Sequence, residues 1–104
     1  MPVLAFVDDL MDRSRISAAF PDVTYTRTVP TDASAELVIV DLPRYGERVG
    51  AIRAAFPTAT IVAFGPHVDQ AARVIALREG ADEVLARSVF FRDPQAAVQT
   101  SGQG

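Results

Sequence analysis

Three apolar runs dominate this chain: PVLAFV (2–7), LVIVDL (37–42) and TIVAF (60–64). Each is nearly continuous. A strand with one wet face alternates apolar and polar side chains, whereas a strand covered on both faces does not. The runs therefore predict a parallel sheet held between two helix layers. DEVLA (82–86) is a weaker run of the same kind. VTYTRT (23–28) alternates and is rich in β-branched and aromatic residues, which marks an edge strand.

Helix-period segments lie between the runs. Residues 9–20 place Ile16, Ala19 and Phe20 on one side and stop at Pro21. Residues 46–56 do the same with Val49, Ile52 and Phe56 and stop at Pro57. Residues 68–79 align Val68, Ala71, Ala72 and Ile75, with Gly80 as a C-terminal cap. The link from Val29 to Glu36 leaves room for one helical turn at most. This order is that of an open, doubly wound α/β domain with five parallel strands, and right-handed crossovers favour strand order 2-1-3-4-5.

After the last strand, RSVFFRDPQAAVQTSGQG offers two short turns of helix interrupted at Pro94. A Gly/Ser/Gln-rich end follows. The expected division is one domain over 1–92 and a short helical turn with a flexible tail over 93–104. A curtailed last helix would leave part of one sheet face bare, and a bare apolar patch favours association. A homodimer or a tight complex with a protein partner is therefore expected, with Phe90 and Phe91 as candidate anchors.

Composition narrows the chemistry. The chain has no cysteine, so disulfides, thiolate metal sites and thiol nucleophiles are excluded. All ten basic residues are arginine, which excludes any mechanism that requires a lysine. A net charge of −3 argues against nucleic acid as a partner. No apolar run approaches the roughly 20 residues of a membrane span, and no signal-peptide pattern opens the chain. No membrane partner and a cytoplasmic location are the expectations. Neither glycine-rich phosphate-binding motif occurs.

In an open α/β sheet, ligands bind at the carboxyl ends of the strands where strand order reverses. Here that point lies between the first and third strands. Asp8 and Asp9 follow the first run and Asp41 closes the run at 37–42, so three carboxylates are expected to converge. Carboxylates that close raise one another's pKa unless a cation or an arginine neutralises them. Hard oxygen donors with room for water suit a weakly held Mg²⁺. The competing reading has Asp8 and Asp9 capping a helix and Asp41 paired with Arg44 or Arg87. His67, the single histidine, lies in FGPHVD at the same sheet edge. It reads as a ligand contact or as a surface capping residue. No serine or cysteine stands near enough to complete a triad with it.

The ordered set VDD, VIVDL, IVAFGPH and GADEVLARS resembles the receiver domains of response regulators over residues 1–92. The resemblance implies that Asp8 and Asp9 help hold Mg²⁺ and that Asp41 accepts a phosphoryl group from a histidine kinase. Two departures bear on that chemistry. Gly65 stands where a receiver has Ser or Thr, and Arg87-Ser88 stands where it has lysine, usually followed by a cis proline. The loop after Asp41, LPRYGERVG, is also shorter than the usual one.

Phosphoryl transfer depends on placed charge and hydrogen bonds. A planar guanidinium is no geometric substitute for an ammonium. The chain thus resembles a pseudo-receiver: a stand-alone signalling or protein-interaction module, not an enzyme, with phosphoryl chemistry lost. Two alternatives stay open. One is an active single-domain response regulator, phosphorylated on Asp41 with Mg²⁺ and with Arg87 in the lysine's role. The other is a small-molecule binder or enzyme that uses the strand-end acids and His67.

Overall fold

The computed structural model describes residues 2–66 and 70–102. Five parallel strands form one sheet: β1 (Val3–Phe6), β2 (Val23–Tyr25), β3 (Leu37–Asp41), β4 (Thr60–Gly65) and β5 (Glu83–Ala86). Their spatial order is 2-1-3-4-5, the order the crossover rule favours. Val3 lies opposite both Val23 and Leu37, Asp41 lies opposite Phe64, and Gly65 lies opposite Ala86. That register sets Asp41, Gly65 and the residue after Ala86 along one edge of the sheet.

The continuity of the apolar runs has a direct structural cause. Leu4, Phe6, Val38, Val40, Ile61 and Ala63 face one core, while Val3, Ala5, Val7, Leu37, Ile39, Val62 and Phe64 face the other. Both sets are buried. The second core is covered by α1 (Leu10–Ala19) through Ile16, by α5 (Arg87–Arg92) through Phe90, and by α6 (Pro94–Gly102) through Val98. The first is covered by α3 (Val49–Ala55) through Val49 and Ile52, and by α4 (Gln70–Glu79) through Ala76.

Four local features differ from the sequence reading. β2 is three residues long, not six, and no helix of any length forms between it and β3. The segment after Asp41 is not a loop. It forms α2 (Leu42–Tyr45), with a proline in its first turn, and then a 3-10 turn (Gly46–Arg48).

In α4, Ala76 is the buried residue and Ile75 is 59% exposed, the reverse of the expected face. Ala76 shares the core with Val49 and Ile52 of α3, so the inward face of α4 carries alanine there. Gly80, at φ +126°, then lets the chain leave α4 where a Cβ would also strike Arg53. Val68 falls outside the described residues.

The fourth difference is the C-terminus. Pro94 does not end helical structure; it opens α6, which runs on to Gly102. The Asp93 carboxylate accepts the Ala96 backbone N–H at 3.1 Å, and the Asp93 carbonyl accepts that of Ala97 at 3.0 Å. An aspartate cap followed by a first-turn proline is a helix start. α6 packs on β4 and α1, and Gln95 Nε2 donates to the Ala19 carbonyl at 2.8 Å. The face expected to be bare is closed from within the chain. That removes the premise on which a homodimer was expected.

Candidate functional site

The C-terminal strand edge brings some of the expected acids together and separates others. Asp8 turns toward α2. Its carboxylate accepts a 2.6 Å hydrogen bond from the Tyr45 hydroxyl and lies 3.6 Å from Arg27 Nε and 3.5 Å from Arg44 Nη1. Tyr45 is itself buried, edge-on to Phe6 at 5.6 Å. The Tyr45 hydrogen bond, aided by Arg27 and Arg44, holds the Asp8 carboxyl below the usual aspartate range. Burial, followed by the Asp8 bond, pushes the Tyr45 hydroxyl up.

Asp9 has the capping role. It accepts the Asp12 backbone N–H at 3.0 Å in extended geometry at the start of α1. Asp41, at the end of β3, precedes α2 without capping it. Its carboxyl is pushed up, first by burial and then by the negative charge of Asp12, against the opposing pull of Arg44 and Arg87.

The residue that organises this edge is one the sequence reading missed. Asp12 is 3% exposed, the one buried charged side chain among the described residues. Arg87 grips it with both arms: Nη1 to Oδ2 at 2.8 Å and Nη2 to Oδ1 at 2.6 Å. The Arg87 guanidinium also lies over the rings of Phe64 and Phe91, 5.6 and 5.1 Å from their centroids. A signal was present: Asp12 stands three residues after the capping Asp9, on the inner side of the first helical turn. Its partner is 75 positions away, and nothing local indicates it.

Asp9, Asp12, Asp41, Arg44, Arg87 and Pro66 line an open cleft of about 400 Å³. Asp8 does not. Among the described residues, no group of three or more carboxylates and imidazoles is placed to hold a metal ion. Of the three expected acids, Asp9 and Asp41 share the cleft, and the Asp8 charge still reaches Asp41. Asp8 is bonded to Tyr45, Asp9 to the helix start and Asp12 to Arg87.

Gly65 is buried at the end of β4 and brings no hydroxyl to the cleft. His67 lies outside the described residues. Phe90 is fully buried and stacks on Phe64 at 5.2 Å, and Phe91 stands edge-on to both. Phe90 is thus a core residue rather than an interface anchor, because α6 covers it. Phe91 is partly buried in the same cluster.

No family model and no curated protein matches this chain. Solved structures do. A response regulator from Burkholderia pseudomallei, crystallised with a phosphorylated aspartic acid, calcium ion and citrate, superposes with a TM-score of 0.83 at 19% identity. That match covers 98% of this chain and 68% of the other. A response regulator from Thermotoga maritima gives 0.81 at 15% identity, covering 100% and 99% of the two chains. A putative pilus assembly protein from Burkholderia thailandensis gives 0.77 at 15% identity, with coverage of 100% and 99%. The chain has the flavodoxin-like fold of response-regulator receiver domains.

Proposed function

We propose that this chain is a receiver-fold signalling module that acts through contact with a protein partner, without phosphoryl transfer to Asp41. A fold shared by response regulators and a putative pilus assembly protein does not by itself choose the chemistry. The bidentate Asp12–Arg87 pair carries this reading. Stabilising a phosphoryl group on Asp41 calls for a cation aimed at the developing charge and a hydroxyl beside it. Both arms of Arg87, the residue directly after β5, are turned to Asp12 rather than to Asp41, and Gly65 supplies no hydroxyl. Asp41 meanwhile lies in surroundings that disfavour its ionised, nucleophilic form.

The module reads as one held in a single state. No described helix is long and apolar enough to cross a membrane, and a partner in the cytoplasm fits this reading. The test is treatment with acetyl phosphate and Mg²⁺ followed by intact-mass measurement, with no phosphoryl adduct expected. A hydroxylamine-labile adduct on Asp41 would instead support the active response-regulator reading.

A further inference from the structure

Arg87 also lines a second cleft, of about 440 Å³, with Arg15 of α1 and with Ser88, Phe91 and Arg92 of α5. We infer that this cleft binds a phosphate-bearing small molecule. The inference does not rest on the pseudo-receiver reading, since neither Asp41 nor its modification enters it.

The charge distribution points to an anion. The molecule is acidic overall, at −3, yet three of its ten arginines meet in this one cleft. Asp12 neutralises Arg87, but among the described residues no carboxylate forms an ion pair with Arg15 or Arg92. Two uncompensated guanidiniums beside a third raise the local potential, and an anion relieves it.

The guanidiniums are also held in place. Arg15 and Arg87 lie over the Phe91 ring at 5.7 and 5.1 Å from its centroid. That ring is fixed edge-on by Phe64 and Phe90 at 5.0 and 4.9 Å. Side chains positioned before binding lose less freedom when a ligand arrives. A guanidinium carries five N–H donors, and the Asp12 pair uses two of those on Arg87. Binding therefore does not require that pair to open. The exposed Ser88 adds a hydroxyl.

Guanidinium forks match the oxygens of phosphate two at a time. The forks of Arg15 and Arg92, beside the remaining N–H donors of Arg87, suit a multiply charged anion such as a phosphomonoester or a pyrophosphate, and the cleft has room for more than a bare ion.

The test is titration of the full chain with inorganic pyrophosphate at constant ionic strength, followed by amide NMR and calorimetry. Saturable binding is expected, with shifts centred on Arg15, Ser88, Phe91 and Arg92. Arg92→Gln and Arg15→Gln should each weaken it about tenfold or more. Arg92 makes no ion pair among the described residues, so its variant should keep the wild-type melting temperature. Arg78→Gln, at the end of α4 and away from the cleft, should bind as wild type. Shifts that never saturate would overturn the inference, as would equal weakening by Arg78→Gln or unchanged binding in both cleft variants. Citrate binding as tightly as pyrophosphate would overturn the phosphate assignment.

Discussion

Arg87, the first residue of α5, closes both arms of its guanidinium on Asp12 of α1, tying the first helix to the segment after the last strand. The Asp12 side chain is 4% exposed and that of Arg87 is 37% exposed. Removing the arginine strands a buried carboxylate, which in a fully buried pair costs about 3–5 kcal/mol. Water reaches the arginine side of this pair and softens the penalty. Arg87→Met, which keeps the apolar stem, should therefore destabilise the fold by about 2–3 kcal/mol in urea unfolding. The Asp12→Leu/Arg87→Met double variant should recover most of that loss. A single-variant effect below about 0.5 kcal/mol would mean that the pair is solvated and holds little.

Asp41 gives a prediction of opposite sign. Its folded pKa is raised, first by burial and then by Asp12, so the neutral form suits the fold and ionisation opposes it. The penalty is absent below the ordinary aspartate pKa and grows as pH rises through that value toward the folded one. Asp41→Asn should thus melt higher than wild type at pH 7, and the gap should close near about pH 2. Thermal melts of both proteins across that range provide the check. A lower melting temperature for the variant at neutral pH would show that Arg44 and Arg87 outweigh burial at this position.

Asp8 works in the other direction. The Tyr45 hydrogen bond holds its carboxyl below the usual range, with Arg27 and Arg44 assisting. Such a group stabilises the fold above its unfolded pKa, and the contribution fades as pH falls through the folded value. Tyr45→Phe removes the largest cause while keeping the ring against Phe6. A loss of about 1–2 kcal/mol at neutral pH is expected, typical of a hydrogen bond to a charged group. The deficit should shrink once Asp8 is protonated. A deficit that is constant with pH would point to packing rather than to the hydrogen bond.

Particular residues show why the fold could be read from sequence and the site only partly. Val3 and Leu4 face opposite cores, as do Val38 and Ile39, so the two-sided burial of the sheet is written into each run. Asp9 as a helix cap was also legible, since capping is a local interaction. The Tyr45 bond that holds Asp8 was not. It depends on where Tyr45 points, and Tyr45 belongs to α2, read from sequence as part of a loop. The burial of Asp12 is set by an arginine far along the chain. The Asp-Pro pair at 93–94 carried two opposite meanings, a stop for one helix and a capped start for the next. Only Val98, four residues on and buried on the sheet, decides between them.

That decision yields the last prediction. α6 buries Val98 at 7% exposure and packs beside Phe90, itself fully buried on Phe64. Ending the chain at Asp93 would remove the cover from those rings. Each 100 Å² of apolar surface returned to water costs about 2.5 kcal/mol, so the loss should reach about 2–4 kcal/mol. The shortened chain should then self-associate at micromolar concentration, because the exposed face is flat, aromatic and continuous with the strands. Val98→Asp in the full-length chain should produce the same behaviour, since it places an unpaired carboxylate in that contact. Light scattering coupled to size exclusion, with melting curves in parallel, reads both effects. A truncated chain that stays monomeric and melts at the full-length temperature would show that α6 rests on the sheet without holding it closed.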